Sequence, residues 1–183
     1  TEHSEEGCPG LSIPFIAKFE RHGVESAMIS WWFVPLPGRL GSLLTKDNER
    51  GGGWWLYKWY GDMSGYMAKV VPPNDKSDGV DGFAALDKKK GFASIVLGGN
   101  TKGDVNVNIS GIPSAFGNKV NVTVEYVVWE NKDKAVPSKN NLHKILREIF
   151  YGGLFFMAKI IVFNNDTNRM ETFYRDAAQR FKG

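Results

Sequence analysis

Residues 119–130 read KVNVTVEYVVWE. Every second position from Val120 is apolar: Val120, Val122, Val124, Tyr126 and Val128. A period of two belongs to a strand, because successive side chains leave a pleated backbone on opposite faces. DVNVNISGI, residues 104–112, alternates in the same way. Val105, Val107 and Ile109 fall on one face, and Asp104, Asn106, Asn108 and Ser110 on the other. GYMAKVV (65–71), GFAALD (82–87) and FASIVLGG (92–99) are shorter candidates, separated by Gly, Pro and Asp turns. Strands this short and closely spaced predict a mainly β fold, an antiparallel β-sandwich over about 63–137 with one solvated face. Asn106, Asn108 and Asn121 would lie on that face.

Upstream, over 1–62, the pattern is α/β. SIPFIAKFERHG (12–23) predicts a short helix with Ser12 as cap, Pro14 in the first turn and Gly23 as the stop. SAMISWWFV (26–34) is almost continuously apolar, short and closed by Pro35 and Pro37. It reads as a strand buried on both faces, so Trp31 and Trp32 point in opposite directions. After a glycine-rich loop, WWLYKWYGDM (54–63) places Trp55 with Trp59 and Leu56 with Tyr60 at helical spacing.

Downstream of about residue 138 the period of two is lost. NNLHKILREIFYGG (140–153) puts Leu142, Ile145, Leu146 and Ile149 on one helical stripe. An apolar strand, a polar turn and a last helix follow. Segment 138–183 therefore reads as a helix-strand-helix tail foreign to the sandwich.

The 183 residues suit one domain or a small domain with attachments, and the net charge of +3 is scattered. Lys88-Lys89-Lys90 is the one dense basic run and reads as a solvated turn, so no nucleic-acid partner is expected. A single cysteine, Cys8, excludes an intrachain disulfide. Three dispersed histidines give no metal motif, and no cofactor is expected. Asp75, Asp78, Asp81 and Asp87 stand in turns and match no calcium-loop template. No apolar run approaches the roughly 20 residues of a membrane span, and no membrane partner or leader is expected. The chain begins without Met and reads as starting inside a longer polypeptide.

The order of these pieces resembles the C-terminal end of a clan A glycoside hydrolase, nearest to family 39 and its bacterial relatives. The likeness rests on TEHS at 1–4, the following helix, ISWWF at 29–33, WWLYKWYGDMSG at 54–65 and the alternating strands, and covers about 1–137. It implies the end of a TIM barrel followed by a β-sandwich. It implies a secreted or extracellular bacterial parent acting on plant or microbial polysaccharide, including xylosides, by retaining hydrolysis. In that family the nucleophile glutamate stands where Glu2 stands, and an aromatic such as Trp31 or Trp32 walls the sugar site. The acid/base comes from an earlier barrel strand with no counterpart here, so the resemblance implies a truncated enzyme. Glu5 and Glu6 read as a solvated acidic loop.

Trp54, Trp55 and Trp59 carry two readings. Indole faces stack on the C–H faces of pyranose rings, which makes them sugar-binding candidates. At helical spacing, such surfaces also form cores and seams between layers. Three functions are therefore expected to compete: a glycosidase, a non-catalytic carbohydrate-binding sandwich, and a structural module that self-associates through exposed aromatic surface.

Overall fold

The computed structural model describes residues 7–27, 43–76, 79–99, 105–116, 120–136, 139–140 and 156–164. Helix α1 runs Pro9–Arg21 and helix α2 runs Gly52–Gly61. The strands are β1 (Tyr66–Ala68), β2 (Asp81–Asp87), β3 (Phe92–Gly99), β4 (Val120–Val128), β5 (Lys139–Asn140) and β6 (Phe156–Asn164). They form one sheet in the order β1-β2-β3-β6-β4-β5, with every pairing antiparallel. The mainly β, antiparallel reading holds.

Helix α1 starts earlier than the expected cap. Pro9 occupies the first turn, where its fixed φ is helical and its missing N–H is no loss. Ser12 therefore lies inside the helix, and its Oγ donates back to the Cys8 carbonyl at 3.3 Å instead of capping. Gly23 ends the helix as expected, with φ at +66°. Cys8 is buried at the N-cap and packs in the core.

The glycine run before α2 has a steric cause. A Cβ on Gly52 would come within 2.7 Å of both Pro9 Cδ and Trp129 Cδ1. The start of α2 is thus pressed between the start of α1 and the residue following β4, a fit open only to glycine.

The helices cover one face of the sheet. Ile13, Ile16 and Ala17 of α1 and Leu56 and Trp59 of α2 pack on Phe83, Val96 and Val127 of β2, β3 and β4. The opposite face carries a smaller cluster around Leu97 and Tyr126, joined by Val80, Ile95, Val105, Val124 and Ile160. The solvated face expected from the alternation is therefore not solvated on β4. Val127, on the side of Thr123 and Glu125, is fully buried, whereas Val122 on the expected inner side is 37% exposed. Val127 and Trp129 break the polar alternation and supply the apolar area that the helices need.

Two further differences share one cause. Strand β6 lies between β3 and β4 and pairs with both along its length, from Gly99↔Phe156 to Phe92↔Phe163 and from Val128↔Phe156 to Val120↔Asn164. A boundary at residue 138 thus cuts through the sheet instead of marking a foreign tail. With that central slot filled, 105–112 is not a strand but an irregular segment over the second face. Val107 and Ile109 stay 42% and 38% exposed, and Gly111 at φ +69° ends the extended run.

Candidate functional site

The aromatic helix α2 is reached from a rigid loop. Within that loop Leu44 and Arg50 form an isolated antiparallel bridge. The Thr45 N–H donates to the Glu49 carbonyl at 2.8 Å, and the Glu49 N–H returns a bond to Thr45 Oγ1 at 3.1 Å. The Gly51 N–H donates to Leu43 O, and the Val136 N–H donates to Arg50 O, at 2.8 and 2.9 Å. Buried Thr45 satisfies its hydroxyl locally, and the loop is pinned to the segment following β4.

The three expected tryptophans fare differently. Trp59 is 1% exposed and is a core residue. Trp55 is half-buried, and its indole Nε1–H donates to the Val136 carbonyl, which fixes the ring as a strut. Trp54 is half-buried and meets Trp55 edge-on at 4.9 Å and 86°. The Arg50 guanidinium lies over Trp54 at 4.4 Å from the ring centroid and 5.6 Å from that of Trp55. One side of α2 is therefore a packing seam, and its N-terminal corner is a cation–aromatic stack. Glu2, Trp31 and Trp32 lie outside the described residues.

Sequence reasoning missed Arg50, because a lone arginine before a glycine run carries no periodic signal. It also missed three polar clusters. Arg21, the last residue of α1, clamps β2 to the loop before it. Its Nη2 and Nη1 donate to Asp81 at 2.8 and 3.2 Å, and its Nε donates to Asp75 at 2.9 Å. Contact with Asp81 first, opposed by partial burial, pushes the guanidinium further toward its charged form. The Arg21 contact likewise holds the Asp75 carboxyl below its usual range. A retaining glycosidase needs one carboxyl group protonated and one ionised. Arg21 bridges both carboxylates, so Asp75 and Asp81 form an ion clamp.

At the β2–β3 turn, Ser64 donates to Asp87 Oδ2 at 2.7 Å, and the Lys90 N–H donates to Oδ1 at 2.9 Å. Burial alone would push Asp87 up, but these bonds and the Lys90 charge bring it below its usual value.

The third cluster sits beneath the end of α2. Lys159 of β6 is 6% exposed, stands opposite Glu125 in the register and lies 3.9 Å from Asp62. Burial pushes its amine down, Glu125 and Asp62 push it up, and Lys58 pushes it down again. Lys58 also pairs with Asp62.

Tyr60 donates its hydroxyl to Glu20 and packs edge-on against Phe83 at 5.1 Å. Burial first, then the Glu20 carboxylate, pushes the phenol up to about 12. On the second face of the sheet, a cavity of about 480 Å³ opens between β2, β3 and residues 105–113. Its walls are mostly aliphatic, and its one aromatic, Phe116, is buried. Among the described residues no group of His, Cys, Asp or Glu could hold a metal ion. No described helix is long and apolar enough to cross a membrane.

Comparison places these features among known proteins. No family model matches the chain. It is 32% identical over 142 residues to a 3-O-alpha-D-galactosyl-alpha-L-arabinofuranosidase of Bifidobacterium longum subsp. longum, with 72% of this chain covered. It is 30% identical over 151 residues to a 3-O-beta-L-arabinopyranosyl-alpha-L-arabinofuranosidase of Bifidobacterium pseudocatenulatum, with 73% covered. The chain spans only 12% and 15% of the lengths of these two enzymes. The solved structure of N2152 from Neocallimastix frontalis matches 89% of the chain with a TM-score of 0.66 and 36% identity. That match covers 43% of N2152. The chain is thus related to glycoside hydrolases.

Proposed function

We propose that this chain is the barrel-end and β-sandwich portion of a retaining glycoside hydrolase, of the clan A, family 39 type, acting on alpha-L-arabinofuranosyl linkages of plant or microbial polysaccharide. One observation carries this reading. The sequence likeness extends over nearly three quarters of the chain to two enzymes that are both alpha-L-arabinofuranosidases. Glu2 is the proposed nucleophile, and Trp31 and Trp32 the proposed wall of the sugar site. The sheet and its two helices act as a brace, with the α2 seam seating the barrel end on the sheet. In the double displacement of the family, the nucleophile at the Glu2 position attacks the anomeric carbon while a second carboxyl group about 5 Å away, from an earlier barrel strand with no counterpart in this chain, protonates the departing oxygen.

Release of nitrophenol from a panel of aryl glycosides tests the reading, with Glu2→Gln measured alongside. The expected order is alpha-L-arabinofuranoside before beta-D-xyloside, with the mutant inactive on both. A preference for xylosides would move the substrate back to the one implied by the sequence resemblance.

A second reading, a carbohydrate-binding domain without turnover, is favoured by the Arg50–Trp54 corner. Retention on polysaccharide in the absence of any nitrophenol release would select it. Self-association through aromatic surface is the third reading. On α2, Trp59 is buried, and Trp54 and Trp55 are half-buried. The exposed large apolar side chains among the described residues include Tyr66, Val71 and Val107, and none lies on α2.

A further inference from the structure

We propose that Arg50 and Trp54 form a subsite for the carboxylate of an acidic sugar, a uronic acid within the glycan that this protein engages. The inference rests on the carbohydrate reading above and narrows it.

Donor accounting points to this corner. Trp55 spends its indole N–H inside the protein, on the Val136 carbonyl. Among the described residues, no hydrogen-bond acceptor meets the Trp54 indole N–H, and no carboxylate meets the Arg50 guanidinium. The acidic side chains of the adjoining segment are engaged elsewhere. Glu130 pairs with Lys134 at 2.6 Å, and Asp133 lies 3.7 Å from Lys46. Arg50 is exposed, yet its backbone is fixed by the Leu44 bridge and by the Val136 N–H. Its guanidinium is fixed in turn by the indole beneath it.

The result is a cation placed over an aromatic ring that carries an indole N–H, with no carboxylate against it among the described residues. A guanidinium presents two parallel N–H groups that match the two oxygens of a carboxylate. A guanidinium that stacks on an aromatic ring through its face keeps its N–H edges for an anion. Little side-chain freedom remains to be lost on binding. The start of α2 adds nothing to the site, since Gly52 is sealed by Pro9 and Trp129.

Three probes isolate the parts in a titration followed by the Trp54 indole resonance: methyl beta-D-glucuronide, methyl beta-D-glucoside and acetate. The expected result is saturable binding of the glucuronide, with the neutral glucoside and acetate each weaker by about tenfold or more. Arg50→Gln should erase the difference between glucuronide and glucoside. Arg50→Lys should restore part of it, because one ammonium replaces a two-pronged fork. Trp54→Phe, followed by amide resonances, should keep the stack and lose the indole bond, with an intermediate affinity. Equal binding of glucuronide and glucoside would overturn the proposal, as would no shift with any probe. Acetate binding as well as the glucuronide would reduce the corner to an anion site and overturn the sugar assignment. These readouts do not depend on turnover, so failure of the hydrolase reading on aryl arabinofuranosides leaves them intact, and the reverse also holds.

Discussion

At the scale of single residues, the three tryptophans of α2 divide by depth. Trp59 is closed off by Ile13, Leu56 and Phe83, so removing its indole leaves a cavity that the sheet cannot collapse to fill. Trp59→Ala should cost about 3–5 kcal/mol of unfolding free energy. Trp54→Ala should cost less than about 1 kcal/mol, the usual limit for an exposed cation–aromatic contact. Denaturant titration of both variants measures the contrast, and equal losses would mean that Trp54 is as much a core residue as Trp59. Tyr60 gives a pH signature. Its folded-state phenol is pushed up to about 12 from an ordinary value of 10.0. A raised pKa contributes stability that is fully present below the unfolded value and lost as pH climbs through the folded one. Thermal stability should therefore fall between pH 10 and 12, and Tyr60→Phe should flatten that fall.

Among elements, the strand at the centre of the sheet was the hardest to place from sequence. FASIVLGG, GFAALD and KVNVTVEYVVWE were legible as strands because their lengths, turns and β-branched residues agree with the pleat. WWLYKWYGDM was legible as a helix, and the structure extends it back into the glycines. Strand β6 was visible as an apolar run, but its place was not. A strand paired on both sides and covered on both faces has no alternation to report its neighbours. DVNVNISGI had the alternation and lost the sheet, because its pattern says which side chains share a face and nothing about a free edge. The polar clusters were silent for a related reason: Arg21 with Asp81 and Lys159 with Asp62 are close only in the folded chain. Ile160 pairs with Ile95 on one side and Val124 on the other. Ile160→Pro removes a ladder donor from the middle of the sheet and should abolish cooperative unfolding. Asn108→Pro, in the irregular segment, should shift stability by no more than about 0.5 kcal/mol. Circular dichroism with thermal melting distinguishes them, and a folded Ile160→Pro variant would return β6 to the status of a tail.

For the whole molecule, the sheet and helices account for stability, and the chemistry is proposed to lie at the barrel end. Four of the described carboxylates are committed to clamps and turns: Asp75 and Asp81 to Arg21, Asp87 to Ser64 and Lys90, and Asp62 to Lys58 and Lys159. Glu2, outside the described residues, is the nucleophile we propose from the resemblance. The measurement that tests it most directly is intact-mass analysis of the chain after incubation with 2,4-dinitrophenyl 2-deoxy-2-fluoro-alpha-L-arabinofuranoside. The dinitrophenolate departs without help from an acid, and the fluorine slows hydrolysis of the glycosyl-enzyme. The predicted result is one added fluoropentosyl group on the peptide containing Glu2, absent from Glu2→Gln. No adduct on the wild-type chain, or an adduct that persists in Glu2→Gln, would contradict the account.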